Sequence, residues 1–130
     1  YGSVLDNIKD ALKNDIKEVR ISNRLTSSAV CLVSDENDIS PQMEKIFKSM
    51  NQEIPKSKRI LELNPNHPIL DVMRSIFEND KKDAKLTEYA ELLYDQAVLA
   101  EGTPLKDPVK FAQRMADLMV FEGQTKVAKK

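Results

Sequence analysis

Residues Leu86 to Phe121 constrain this chain more than any other segment. They contain two stretches, LTEYAELLYDQAVLA and DPVKFAQRMADLMVF, separated by a short turn carrying Gly102 and Pro104. At 100° per residue, Leu86, Tyr89, Ala90, Leu93, Ala97 and Ala100 fall on one side of the first helix. Leu92 and Leu99, one heptad apart, form a second stripe to one side of it. In the second helix Val109, Phe111, Ala112, Met115, Ala116, Leu118, Met119 and Val120 cover more than half the circumference, leaving Lys110, Gln113 and Asp117 for the remainder. A surface helix ordinarily needs one apolar stripe. Two helices with surplus apolar surface, joined by a tight turn, form either the core of one domain or a hairpin that docks on a second copy as a four-helix bundle. Periodicity alone leaves both open. The positions expected at such a contact are Leu92, Leu99, Phe111, Met115, Leu118 and Met119.

The rest of the chain supplies a domain for this hairpin to close. With 130 residues, 41% hydrophobic and 32% charged, it is long enough for one real core and too apolar to be disordered. Twenty basic and 21 acidic residues give a net charge of -1, so no general attraction to nucleic acid or an anionic membrane is expected. The longest apolar run, Ala29 to Val33, is far too short to span a bilayer. A single cysteine, Cys31, excludes an internal disulfide and points to a reducing compartment. It sits inside an apolar run with no basic neighbour, as an inert buried thiol would.

The spacing predicts a first helix from a capping box at Ser3 to Asp6 through Leu5, Ile8 and Leu12 to about Asn14. Lys17 to Ser22 alternates as a strand, with Val19 and Ile21 on one face. Ala29 to Val33 reads as a strand covered on both faces. Ser40 and Pro41 start a helix that ends near Met50 to Gln52, and Arg59 to Leu63 is a third strand. Pro68 opens a helix with a stripe of Ile69, Val72, Met73, Ile76 and Phe77. In the hairpin, Gly102 stands at C′ of the first helix, Asp107 caps the second with Pro108 at N1, and Gly123 ends it. The expected fold is α+β: a small three-stranded sheet packed with helices, ending in the hairpin. Residues 1–122 form one domain and residues 123–130 a flexible tail.

Four stretches of this sequence, SNRLTSSAVCLVS, PQMEKIFKSM, ILELNPNHPIL and ELLYDQAVLAEGTPLKDPVKFAQRMADLMV, resemble the C-terminal domain of the heat-shock-protein-90 chaperones, most closely the bacterial, high-temperature protein G branch. The similarity runs in order from about Leu5 to Val120, and ELNPNHP and LLYDQA…DP are its most specific parts. The resemblance implies a homodimerisation domain, closed by a four-helix bundle from the last two helices of each protomer. It also implies an ATP-driven clamp whose ATP and magnesium site lies in an N-terminal domain, so this chain is expected to be a fragment without catalysis or cofactor of its own. The ending KVAKK lacks the acidic pentapeptide that recruits tetratricopeptide-repeat co-chaperones in some members. In bacterial members the helix matching Ser40 to Met50 is suggested to touch unfolded or partly folded clients. Here it carries Ile39, Met43, Ile46, Phe47 and Met50 in one narrow stripe, which would otherwise simply cover the sheet.

Other candidate chemistry is weak. His67, the sole histidine, is expected to cap a helix or lie at the surface rather than bind zinc. Asp35, Glu36 and Asp38 cluster without the central Gly and distal Glu of an EF-hand. Three glycines, none in a phosphate-binding pattern, give no nucleotide signature, and no nucleophile-plus-base pattern suggests a hydrolase. The competing reading is a stand-alone α+β binding module that grips a different protein with the same hairpin.

Overall fold

The computed structural model describes residues 2–23, 27–33, 41–51 and 59–128. Their order is α1 (Gly2–Ala11), β1 (Ile16–Ile21), β2 (Val30–Val33), α2 (Pro41–Ser49), β3 (Arg59–Leu63), α3 (Pro68–Asn79), α4 (Ala84–Glu101) and α5 (Pro108–Ala128). The expected α+β class, with one three-stranded sheet and a closing hairpin, is what forms. The sheet order is β1-β3-β2, with β3 parallel to β1 and antiparallel to β2.

That order decides burial. β3, the central strand, is buried at Ile60, Leu61, Glu62 and Leu63. β2 lies at the edge, where only Val30 is buried and Cys31, Leu32 and Val33 are half-covered. The strand covered on both faces is therefore β3, not Ala29 to Val33 as expected. An apolar run cannot distinguish a centre strand from an edge strand when pairing partners lie far away in sequence.

One face of β3 presents Leu61 and Leu63 to a core built from Val4, Ile8 and Leu12 of the first helix and its turn, Leu70 and Met73 of α3, and Leu86, Ala90, Leu93 and Ala97 of α4. α1 lies against β1, α4 against β2, and α3 bridges α1 and α4. On the other face Glu62 is only 4% exposed. Its register partners flank it: Arg20 Nε donates to Glu62 Oε2 at 2.8 Å and Cys31 Sγ donates to Oε1 at 3.7 Å. A buried carboxylate is tolerated when it is paired and hydrogen-bonded in this way.

Several boundaries differ from expectation. α1 begins at Gly2, so Ser3 lies within the first turn and forms no capping box, and it ends at Ala11 rather than Asn14. Val4 joins Ile8 in its buried set while Leu5 is only half-covered. In α3 Met73 is buried and Ile69, Ile76 and Phe77 pack against the core as expected, but Leu70 joins them and Val72 is exposed. α5 does not stop at Gly123 but continues to Ala128. One glycine costs about 1 kcal/mol in a helix, and Thr125 Oγ1 donates to the Phe121 carbonyl at 3.0 Å across it.

The ELNPNHP segment shows why those residues stand together. Asn64 is 1% exposed at the end of β3. Its Nδ2 donates to the Ser28 carbonyl at 3.0 Å, its Oδ1 accepts from Asn66 N–H at 2.9 Å, and its own N–H reaches the Ala29 carbonyl at 2.8 Å. One side chain thus ties the approach to β2 to the turn leading into α3. His67 then caps α3, its Nδ1 accepting from Ile69 N–H at 3.2 Å, with Pro68 at the first position, the capping role expected of it. Replacing Asn64 with Ala leaves the Ser28 carbonyl and Asn66 N–H without these partners. Urea unfolding at fixed protein concentration should show a loss of about 1–3 kcal/mol. Asn64→Asp keeps the acceptor but not the donor, and should also fall below wild type.

Candidate functional site

The hairpin is built from two well-capped helices. Asp83 Oδ1 accepts from Lys85 N–H at 2.9 Å to open α4. Gly102 closes it at φ 83°, donating to the Leu99 carbonyl at 3.0 Å while Thr103 N–H reaches Val98 at 3.2 Å. This left-handed closure is the expected C′ glycine. Asp107 Oδ1 accepts from Lys110 N–H at 3.0 Å, and Pro108 begins α5. The connector is fastened to the body by Lys106, whose Nζ lies 3.3 Å from Asp15 Oδ1, and the end of α4 by the Arg59–Glu101 ion pair.

The two helices differ sharply in burial. α4 buries Leu86, Ala90, Leu92, Leu93, Ala97 and Val98 within its own protomer. Tyr89 is half-covered and Ala100 exposed. Among the described side chains of α5 none is buried. Val109, Met115, Leu118, Met119, Val120 and Phe121 are exposed, Met119 at 67%, and only Phe111 and Arg114 are half-covered. A helix of about 30 Å therefore lies on the surface with its apolar side unpartnered.

Of the six positions expected at a contact, Leu99, Met115, Leu118 and Met119 are exposed and Phe111 is half-buried. Leu92 is different, at 6% exposure. It lines a cleft of about 200 Å³ with Ile69, Val72, Tyr89, Leu93, Gln96 and Leu118. Its neighbours on α4, with α3 and Leu118 of α5, already enclose it, so it is not the free second stripe its spacing suggested. Leu118 forms one wall of this cleft and connects it to the open face of α5.

A second apolar surface stands on α2. Met43, Ile46 and Met50 are exposed and Phe47 is half-buried, so the stripe is not spent on covering the sheet. Asn51, at φ 57°, turns the chain just beyond this helix. Ile39 and the cluster of Asp35, Glu36 and Asp38 lie outside the described residues.

Besides the Leu118 wall of the cleft at Leu92, charged groups face one another between α4 and α5. Arg114, whose side chain is 14% exposed, lies 3.8 Å from Glu88 Oε1 and 3.5 Å from Glu91 Oε1, and Lys110 lies 4.0 Å from Glu91 Oε2. Burial raises the Asp95 carboxyl above its ordinary range; Arg114 opposes this, while Glu91 and Asp15 add to it. The neighbouring Tyr94 phenol is raised, first by burial and then by Asp15. None of Glu88, Glu91, Asp95 or Arg114 was singled out by sequence. The signal was available: acidic residues at positions 88, 91 and 95 follow helical spacing, as do basic residues at 106, 110 and 114. Among the described residues no helix is long and apolar enough to cross a membrane.

Comparison with known proteins identifies relatives of the sequence. The family model described as "Hsp90 protein" matches residues 1–129. The chaperone protein HtpG of Geobacter sulfurreducens is 52% identical over 124 residues, 95% of this chain and 19% of that protein. HtpG of Geobacter metallireducens is 51% identical over 124 residues, with the same shares covered. HtpG of Nocardia farcinica is 46% identical over 123 residues, 90% of this chain and 19% of its own length. The chain thus spans about a fifth of the length of these relatives. A match over almost every residue shows that the chain belongs to the Hsp90 family.

Proposed function

We propose that this chain is the portion of an Hsp90-family chaperone that joins two protomers, through a four-helix bundle made by α4 and α5 of each. The observation that carries this reading is the exposure of α5: a 21-residue helix whose described side chains include none that is buried, although Val109, Met115, Met119 and Val120 line it. Exposed apolar patches of that extent mark interaction sites. A self-complementary face pairs most simply about a two-fold axis, burying about 800 Å² on each partner. Leu99, Phe111, Met115, Leu118 and Met119 form the seam, and Leu92 supports it from beneath. ATP binding and hydrolysis belong, on this reading, to the part of a full-length relative that this chain does not span. A lone, half-buried Cys31 suits a reducing compartment such as the cytoplasm.

The exposed stripe of α2 supports a second, compatible role in touching unfolded clients. Two methionines and an isoleucine give an adaptable apolar surface, and Ile39 and Phe47 extend it on the sequence pattern.

Two measurements test these roles separately. Met115→Glu combined with Met119→Glu alters only exposed positions, so protomer stability should change by less than about 0.5 kcal/mol per site. Burying those charges in a seam should raise the dimer Kd at least about a hundredfold, ~3 kcal/mol, by sedimentation equilibrium at micromolar concentration. A wild-type chain that stays monomeric there removes the dimer reading and leaves a binding module for a different protein. For α2, replacing Met43, Ile46 and Met50 with Ser should leave the unfolding free energy within about 1 kcal/mol and weaken suppression of aggregation of a chemically unfolded substrate. A loss of several kcal/mol, the scale of core truncation, would show instead that the stripe is packed.

A further inference from the structure

The charges between α4 and α5 form an ordered series. Read from its N-terminus, one side of α4 carries Lys85, Glu88, Glu91 and Asp95. Read backwards, the facing side of α5 and its connector carries Asp117, Arg114, Lys110 and Lys106. Glu88 meets Arg114 at 3.8 Å, and Glu91 meets both Arg114 at 3.5 Å and Lys110 at 4.0 Å. The outer positions follow the same order: Lys106 favours the ionised Asp95, and Asp117 adds to the support that Lys85 receives mainly from Glu88. A slip of one helical turn in either direction reduces the four opposite-charge meetings to two and adds one like-charge meeting, Asp117 to Glu88 or Arg114 to Lys85. At 100° per residue the exposed Val109, Met115, Met119 and Val120 lie between about 100° and 140° away from Arg114.

We propose that this ladder, centred on Arg114, is a positioning device that fixes the register and angle of α5 on α4 and so presents the outer apolar face in the geometry that protomer pairing requires. The inference rests on the pairing reading and deepens it, since Arg114 acts on the seam without belonging to it. Its guanidinium reaches two carboxylates one turn apart, a geometry the single ammonium of Lys reproduces only in part. An apolar seam alone would not be weakened by added salt, because salt screens charges and strengthens effective apolar burial. A seam aligned by ion pairs should weaken.

The test measures the dimer Kd of the 130-residue chain by sedimentation between about 0.05 and about 0.5 M NaCl, where the Debye length falls several-fold. The wild-type Kd should rise with salt. Arg114→Gln should raise the low-salt Kd about tenfold, ~1.4 kcal/mol, and flatten the salt dependence, while Arg114→Lys should recover part of both. A wild-type Kd that is flat or falls with salt, together with an Arg114→Gln dimer as tight as wild type, overturns the ladder and leaves the pairing reading intact. A chain monomeric at every salt concentration overturns pairing, and with it the proposed purpose of the ladder. A second measurement addresses positioning within one protomer. In a Cys31→Ser background, spin labels at Gln96→Cys and Gln113→Cys, diluted into excess unlabelled protein, should give a narrow distance distribution that broadens with Arg114→Gln and with salt. An unchanged distribution overturns the proposal even if the dimer persists.

Discussion

The burial of β3 governs the rest of the molecule. It has a paired strand on each side and cover on each face, so its alternating side chains must satisfy two environments. Leu61 and Leu63 meet the helices, whereas Glu62 points the other way into the pairing of Arg20 and Cys31. A slip of one residue would turn Glu62 into the aliphatic core and leave Arg20 opposite an apolar partner. The ion pair therefore does more to select a register than to add net stability, since much of its Coulomb gain offsets desolvation. With β3 fixed, Asn64 fixes the exit into α3, and α4 is laid down over the sheet as the platform from which α5 extends.

Much of this was legible in the sequence wherever the signal was local. Pro68 after a capping residue, Gly102 before a proline, and Asp107 before Pro108 each settle a helix end within a few residues, and each stands where expected. What could not be read was long-range. Whether an apolar run is a centre or an edge strand depends on pairing with partners about 30 or 40 positions away, which is why the strand covered on both faces is β3 rather than β2. Gly123 illustrates the opposite limit: it is a local breaker, but a single glycine is too weak a one when Thr125 bonds back across it.

The candidate site divides in the same way. The surplus apolar character of α5 is a property of its own sequence, and it appears in the structure as an uncovered face. The second stripe of α4 needed knowledge of its neighbours: Leu92 is consumed by the cleft with Ile69 and Leu118, whereas Leu99 remains exposed. The role of Asn64 was hidden because it links residues more than 30 positions apart. The acidic and basic series at 88–95 and 106–114 were present in the sequence. They gain meaning only when the helices are known to run antiparallel with Arg114 beside Glu88.

The use of charges beside the Leu118 contact to hold α5 has a physical rationale on the pairing reading. A helix destined to expose an apolar face in the free protomer can satisfy that face alone, by rolling until it packs on α4. Rolling α5 by about half a turn would bring Met119 and Val109 against the Glu88 and Glu91 carboxylates and carry Arg114 into solvent, leaving those carboxylates without their cation. The like-charge repulsion among Glu88, Glu91 and Asp95 would then oppose the apolar gain. An apolar inner face would offer no such discrimination, since either side of the helix could pack against Leu92 and Tyr89. Opposite-sign charges on the inner side and apolar residues on the outer side therefore make the two faces non-interchangeable. A helix built this way stays open towards a partner without collapsing onto its own domain, which is the property a surface helix must have if it is to close a dimer.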